Sequence, residues 1–311
     1  MPLLEVRNLR KRFGRTVAVE DVSFAVEPGE VFGLLGPNGA GKSTSMMITC
    51  GLLKADAGEV LVAGRKLTPR SRTLKRELGL APQELAIYPE LTARENLRFF
   101  GKLYDMGRRS LADRVGEILD RIGLTARADD PAGTFSGGMK RRLNFGIALL
   151  HRPAVVILDE PTVGVDPQSR AHLLEAVRDV ASEGVAVVYV SHYMEEVEAV
   201  CGRVAIVDGG RVLADDTLSN LLGRVGSSVR LRVDRNGAPL SPHLAGHARY
   251  EHKAGGVTEL VIERNGADLA STLSAAIEHV RSRGGRVENL KTDEPSLEKL
   301  FLQLTGQKLR D

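Results

Sequence analysis

The sequence predicts an α/β protein in which a largely parallel core sheet carries an antiparallel β flank, followed by a small α+β unit. Three observations point there. Apolar runs rich in Val, Ile and Leu alternate with longer stretches of helical period, the pattern of strands and crossover helices. The runs at residues 31–35, 155–158 and 185–190 are continuous, as strands buried on both faces are. Residues 4–8 and 22–26 instead alternate apolar with polar, as a half-solvated antiparallel sheet does, and Pro28-Gly29 supplies a turn.

Residues 92 to about 123 read as mostly helical, with Leu97, Phe100, Leu103 and Tyr104 on one face and Leu111, Val115, Ile118 and Ile122 on another. Near residue 221 the texture changes. A Gly-containing linker leads into Ser227-Ser228-Val229-Arg230-Leu231-Arg232-Val233, an alternating strand, so the expected domains are residues 1–220 and 221–311. Within the tail, the sequence predicts a hairpin around Gly255-Gly256 and a helix carrying Leu269, Leu273, Ile277 and Val280. Gly284-Gly285 would end that helix as a left-handed cap, and a last helix would hold Leu297, Leu300, Phe301 and Leu304 on one face.

A chain of 311 residues has room for one large domain and a smaller one. Aromatic residues make up 4% with no Trp, which argues against a stacking platform for nucleic-acid bases. A net charge of +3 is too small for nucleic-acid binding on electrostatics alone, though compatible with work beside an anionic membrane face. The clusters Arg7, Arg10, Lys11, Arg12 and Lys140-Arg141-Arg142 read as solvated faces or phosphate-adjacent charge, and no nucleic-acid partner is expected. Cys50 and Cys201 form neither a CxxC pair nor a metal spacing, so two buried reduced thiols in a reducing cytoplasm are expected. The start Met1-Pro2-Leu3-Leu4-Glu5 reaches a charge at once, which predicts no secretion signal. Uncharged apolar runs fall short of the roughly 18 residues of a spanning helix, so any membrane role must come through a partner.

The most specific signal is Gly36-Pro37-Asn38-Gly39-Ala40-Gly41-Lys42-Ser43-Thr44, which matches G-x-x-x-x-G-K-[ST] with a strand before it and a helical segment after. Glycines let the backbone curl until successive N–H groups aim at phosphate oxygens, and the helix adds its positive end. Lys42 would reach the β- and γ-phosphates, Ser43 would take a place on Mg²⁺, and Thr44 would support the α-phosphate. The competing reading is a chance glycine-rich turn. By itself the loop says only that a nucleoside triphosphate binds.

Val155-Val156-Ile157-Leu158-Asp159-Glu160 places a carboxylate at the end of a hydrophobic strand, where Asp159 would hold magnesium through water. Glu160 would orient and polarise the attacking water as general base. Taken singly, an Asp-Glu pair at a strand end is a solvated turn; the phosphate loop changes that reading. Thr134-Phe135-Ser136-Gly137-Gly138-Met139-Lys140-Arg141-Arg142 precedes the apolar positions Leu143, Ile147 and Leu150, which puts Ser136 at a helix N-terminus. Simple helix capping by Ser136 and a second anion site are both open there.

The order phosphate loop, Ser-Gly-Gly segment, Asp-Glu strand resembles the ABC ATPase family over residues 3 to about 215. The resemblance implies a P-loop NTPase fold of ABC type with a helical subdomain. It implies that Ser136, Gly137 and Gly138 bind the γ-phosphate of ATP held by a second copy, so that two ATPs lie sandwiched in a homodimer. Phe13, in Arg12-Phe13-Gly14, matches the aromatic that stacks on adenine, with an ordinary core Phe as the alternative. Gln83, in Ala81-Pro82-Gln83, matches the residue that contacts magnesium and the water beside the groove for the membrane subunit. Asp166, in Gly164-Val165-Asp166, matches the loop that touches the opposite subunit, and His192 matches the switch histidine at the γ-phosphate. A lone His at a strand end is more often structural; its place after the Asp-Glu strand reverses that. The chain departs from the family pattern at Phe135, Met139 and Gly164-Val165, which touches affinity and partner specificity while sparing backbone donors.

Residues 82–97, the Phe-Ser-Gly-Gly-Met-Lys-Arg-Arg signature and the ending Ser296-Leu297-Glu298-Lys299-Leu300-Phe301 resemble the daunorubicin-type drug-resistance exporter branch. That resemblance implies an ATP- and Mg²⁺-dependent subunit at the cytoplasmic face of the membrane. A separate membrane-spanning ABC subunit would move a drug, antibiotic, lipid or polysaccharide outward. An importer ATPase shares the catalytic motifs. A soluble ABC protein would carry two motif sets or long coiled-coil insertions, and neither is visible.

Overall fold

The computed structural model describes residues 1–234, 244, 248–253, 257–263 and 269–306. Two compact units emerge, one spanning Met1–Leu218 and the other Ser219–Gln303.

The first unit opens with β1 (Leu4–Phe13) and β2 (Thr16–Val26), an antiparallel pair turned at Gly14. Both strands run longer than the alternating stretches predicted. Beyond Leu9 the register shifts twice, so the pattern loses its period while pairing continues. Next come β3 (Val31–Leu35), α1 (Lys42–Thr49), β4 (Ala57–Val62), the short β5 (Arg65–Lys66), α2 (Arg72–Lys75) and β6 (Leu78–Ala81). The helical stretch is α3 (Ala93–Leu103), α4 (Arg108–Arg121) and α5 (Gly137–Leu149). Thr92 caps α3 in a box with Glu95, each side chain bonding the other's backbone N–H. Leu111, Val115, Ile118 and Ile122 are buried as their spacing predicts, but Leu103 is 63% exposed at the end of its helix. The unit continues with β7 (Val155–Asp159), α6 (Pro167–Ser182), β8 (Ala186–Ser191), α7 (Met194–Val200), β9 (Arg203–Asp208) and β10 (Arg211–Thr217).

Its strands form one sheet in the order β5-β4-β1-β2-β10-β9-β3-β8-β7-β6. From β9 to β6 the pairings are parallel, and every residue of β3 and β8 is buried, which is why those runs read as unbroken apolar sequence. The flank β5-β4-β1-β2 is antiparallel and meets the core where Arg211 of β10 pairs in parallel with Asp21 of β2. Phe24 and Phe32 stack at 5.0 Å, packing β2 against β3. Register places Leu35 beside Ser191, Val190 beside Asp159 and Leu158 beside Ala81, so the carboxyl ends of β3, β8, β7 and β6 finish along one edge. Loops leaving that edge are where α/β sheets bind ligands.

After α8 (Leu218–Gly223), the second unit is a four-stranded antiparallel sheet, ordered β12-β13-β11-β14, of β11 (Ser228–Val233), β12 (Ala248–Lys253), β13 (Val257–Glu263) and β14 (Val287–Asp293). Between β13 and β14 runs α9 (Leu269–Ser282), and α10 (Leu297–Thr305) follows. Val229, Leu231, Val233, Leu260 and Ile262 make its core with Ala276 and Val280 of α9. Gly284, at φ 73°, ends α9 as expected, with the Gly285 N–H donating to the Val280 carbonyl at 3.0 Å. Strands β12 and β13 pair up to Lys253 and Val257, while Gly255 and Gly256 themselves lie outside the described residues. In α10, Leu297, Leu300 and Phe301 are buried and Leu304 is 41% exposed.

Cys50 and Cys201 are free and buried, and burial pushes the Cys50 thiol up to about 12. Among the described residues no helix is long and apolar enough to cross a membrane.

Candidate active site

Residues 36–41 leave β3 and turn into α1 within a narrow gap. A Cβ on Gly36 would lie 2.1 Å from the Val207 carbonyl oxygen, and one on Gly41, whose φ is 97°, would lie 2.3 Å from that of Ala18. Only glycine fits either place. The Lys42 ammonium, 5% exposed, donates to the carbonyls of Gly36 at 2.7 Å and Pro37 at 3.0 Å. Burial lowers its pKa, and the charges of Glu160 and Asp159 oppose that. A cavity of about 330 Å³ opens over this loop. Phe13, residues 16–18, Asn38, Gly39, residues 41–44, Gln83 and Glu160 line it. Phe13 is 48% exposed, so it is no core residue, and the Lys11 ammonium sits 5.5 Å from its ring centroid.

Asp159 ends β7 with a buried Oδ1 that has no hydrogen-bond partner. Burial and then the neighbouring Glu160 charge raise its pKa, opposed by the Ser43 hydroxyl and Lys42. An unpartnered carboxylate oxygen beside a hydroxyl and a second carboxylate is a donor set suited to a hard cation, so Ser43 and Asp159 fit magnesium.

Glu160 has a backbone φ of 48°, a left-handed conformation that costs a non-glycine residue about 1–2 kcal/mol. Three bonds hold it there. Its N–H donates to the Val190 carbonyl at 2.9 Å, its Oε2 accepts from Gln83 Nε2 at 2.8 Å, and its Oε1 lies 2.8 Å from His192 Nδ1. An ionised carboxylate only accepts, so it selects the tautomer with the proton on Nδ1. Gln83, Glu160 and His192, which follow β6, β7 and β8, thus meet around one buried carboxylate beside the phosphate loop.

Ser136, Gly137, Gly138 and Asp166 form a second cluster. Ser136 caps α5, its Oγ accepting from the Met139 N–H at 3.3 Å, and Asp166 caps α6, accepting from the Ser169 N–H at 2.9 Å. Both are exposed. A Cβ on Gly137 would lie 3.2 Å from the Gly164 carbonyl oxygen, and one on Gly138 would lie 2.3 Å from Ser169 Oγ, so the two helix starts are in contact. None of these residues lines the cavity over Lys42. Phe135 is buried with the Arg127 guanidinium over its ring, so this departure from the family signature is absorbed in packing.

One side chain beside Gln83 escaped the sequence reading. Asn144 on α5, 3% exposed, accepts from the Ala86 N–H and donates to the Pro82 carbonyl, both at 3.1 Å. Arg141 donates to the Gln83 carbonyl and Arg142 to those of Ile122 and Gly123. Of the two expectations for these arginines, the solvated face gives way to bonds that tie α5 to its neighbours, while Arg141 does lie within electrostatic reach of Glu160. The signal for Asn144 was a polar residue between the apolar positions Leu143 and Ile147. Farther along, Asn96, fully buried, bonds both backbone groups of Tyr88 and pins the segment before α3.

The ABC transporter family model matches residues 19–163. Over 311 residues, covering 99% of this chain and 100% of the relative, it is 41% identical to the linearmycin resistance ATP-binding protein LnrL of Bacillus subtilis (strain 168). The daunorubicin resistance ATP-binding protein DrrA2 of Streptomyces coeruleorubidus is 36% identical, over 96% of this chain and 94% of its own length. The Nod factor export ATP-binding protein I of Burkholderia lata is 35% identical, over 99% and 98%. Among solved structures, an ATP-binding subunit of an ABC transporter superposes with a TM-score of 0.65 at 32% identity, covering 71% of this chain and 92% of that one. A glycine cradle around Lys42, an unpartnered Asp159 oxygen and full-length likeness to ATP-binding subunits agree: the chain belongs to the ABC transporter family, as an ATP-binding subunit that hydrolyses ATP with magnesium.

Proposed function

We propose that this chain powers outward transport through a separate membrane-spanning subunit at the cytoplasmic face of the membrane, working as an ATP-sandwich homodimer. The observation that carries the catalytic part is the Glu160 carboxylate, held between Gln83 and His192 and facing the cavity over Lys42. Outward direction is supported by the relatives' names, which speak of drug resistance and export. Residues 1–220 then form the motor domain and residues 221–311 an accessory domain.

In this reading Phe13 stacks on adenine, and residues 36–41 with Thr44 bind the phosphates through backbone N–H and hydroxyl groups. Lys42 exchanges its two carbonyl partners for β- and γ-phosphate oxygens. Ser43, Asp159 and Gln83 hold Mg²⁺, which supplies neutralisation of phosphate charge. Glu160 accepts a proton from the water that attacks the γ-phosphorus as the bond to the bridging oxygen breaks, and His192 contacts the γ-phosphate. The exposed Ser136 end of α5, with Gly137, Gly138 and the Asp166 loop, meets the nucleotide and phosphate loop of the second copy. Leu85, Tyr88, Phe99 and Leu103, each at least 36% exposed beside the Gln83 segment, offer an apolar face for the membrane subunit.

Glu160→Gln tests this. The amide keeps the shape and one of the two acceptor oxygens but cannot take the proton. Phosphate release should fall about 10²–10⁴-fold while ATP still binds and a closed dimer accumulates. Turnover within about tenfold of the parent would remove Glu160 from the base role.

A further inference from the structure

Glu196 is a buried carboxylate that hydrolysis as proposed does not use. It lies on α7, four residues beyond His192, and is 2% exposed. Its Oε2 accepts from two buried hydroxyls: that of Tyr189 on β8, at 2.9 Å, and that of Thr162, two residues beyond Glu160. Burial, and then the Glu196 charge, push the Tyr189 phenol far up, so it remains a donor. Its Oε1 lies 3.2 Å from Nε of Arg170, on α6 four residues beyond Asp166. Thr162 belongs to a tight link between Glu160 and Asp166, in which the Val165 N–H donates to the Thr162 carbonyl at 3.1 Å. One carboxylate therefore touches all three segments that carry Glu160, His192 and Asp166.

Stability is a poor explanation for it. Only Glu196 of the pair is buried, the Arg170 side chain being 37% exposed, and desolvation of the carboxylate offsets the attraction of such a pair. Moreover the Arg170 contact is incomplete. Despite their 3.2 Å separation, Arg170 Nε and Glu196 Oε1 are both buried without a hydrogen bond, which leaves capacity that a small rotation of the first turn of α6 would fill.

We propose that Glu196 is a positioning residue which, through Thr162, Tyr189 and Arg170, makes the Asp166 loop and the Glu160–His192 pair move as one body. A partner pressing on the Asp166 loop improves the Arg170–Glu196 alignment, and the shift reaches Glu160 through Thr162 and His192 through Tyr189. The inference rests on the roles proposed above for Glu160, His192 and Asp166.

The test uses the full chain with Arg170→Gln, Arg170→Lys, Glu196→Gln, the double variant Arg170→Gln/Glu196→Gln, and Glu160→Gln in parallel. Arg170→Gln and Glu196→Gln should each lower kcat by about tenfold or more, with KM for ATP changed less than about twofold and the melting temperature close to the parent's. Arg170→Lys, which keeps the cation, should return kcat to within about threefold, and the double variant should lose no more than either single one. Parent-like kcat in both single variants, losses that track melting temperature, or additive losses in the double variant would each overturn the proposal. If Glu160→Gln is inactive while Arg170→Gln turns over normally, only the role of Glu196 fails. If Glu160→Gln is itself active, the roles beneath the inference fail and it goes with them.

Discussion

Gly138→Ala sets two effects against each other at the start of α5. Helix propensity favours alanine over glycine by about 0.5–1 kcal/mol, so propensity alone predicts a more stable protein. Space argues the other way. The new Cβ would stand 2.3 Å from Ser169 Oγ and 2.4 Å from Ser169 Cβ. A rotamer change moves the hydroxyl but not Cβ, so the first turn of α6 must retreat by about 1 Å, an overpacking that costs about 1–3 kcal/mol. The net loss is about 1 kcal/mol, or about 2–4 °C in Tm for a unit of this size. Function should suffer more, since the retreat carries Asp166 away from the Ser136 end of α5, and a shift of that size costs about a hundredfold in turnover. ATP affinity of the isolated chain should hold, because no residue that moves lines the cavity over Lys42. Phosphate release, a thermal melt and ATP titration read all three quantities. Adding Ser169→Gly removes both clashing atoms and should restore most of the turnover; failure to do so, or full activity of Gly138→Ala alone, would refute the steric argument.

Asn144→Ala removes two partly buried hydrogen bonds, to the Pro82 carbonyl and from the Ala86 N–H, at about 0.5–1.5 kcal/mol each. It should lower kcat with little change in KM, read by steady-state kinetics beside a melt. Phe13→Ala should weaken ATP binding by about 1–3 kcal/mol of lost stacking and leave Tm unchanged, since the ring is half exposed; calorimetric titration checks it. In the second unit, hydrogen bonds from Arg230 to Glu251 and from Lys299 to Asp293 hold both carboxyls below the ordinary range. Their folded pKa values are depressed, so the stability they lend is present above about pH 4 and fades as pH falls through the folded values. Melts of the full chain from neutral to acid pH should show that loss, and Arg230→Gln should shrink it.

The parallel core was legible because strands buried on both faces leave unbroken apolar runs, as at Val155–Asp159, and because the phosphate loop is contiguous. What escaped depends on contacts between distant residues. Gln83 and His192 stand 77 and 32 positions from Glu160, and family likeness alone placed them with it; spacing could not. Arg141 and Arg142 read as a solvated face or phosphate-adjacent charge because composition cannot see the carbonyls of Gln83, Ile122 and Gly123 that receive them. Leu103 and Leu304 fit their helical periods yet lie exposed, each near the end of its helix, where a side chain can run past its packing partner. Glu196 carried no signal at all, since Glu195, Glu196 and Glu198 look alike in a charged helix until burial separates one of them.

Lys42 and Glu160 share a physical logic. Each is buried, charged and held by neighbours at some cost: Glu160 in a left-handed backbone, Lys42 folded onto two carbonyls with its pKa lowered. A glycine at position 160 would adopt that backbone more cheaply, and an apolar residue at position 42 would need no partners. A fold selected for stability alone would use neither group. Both are also satisfied within the chain, so the cradle keeps its shape without ordering fresh groups when triphosphate arrives. In its proposed role the ammonium exchanges acceptors, and such exchanges change free energy little. In the sandwich proposed above, most of the energy of closure then comes from contacts to the Ser136 and Asp166 face of the second copy.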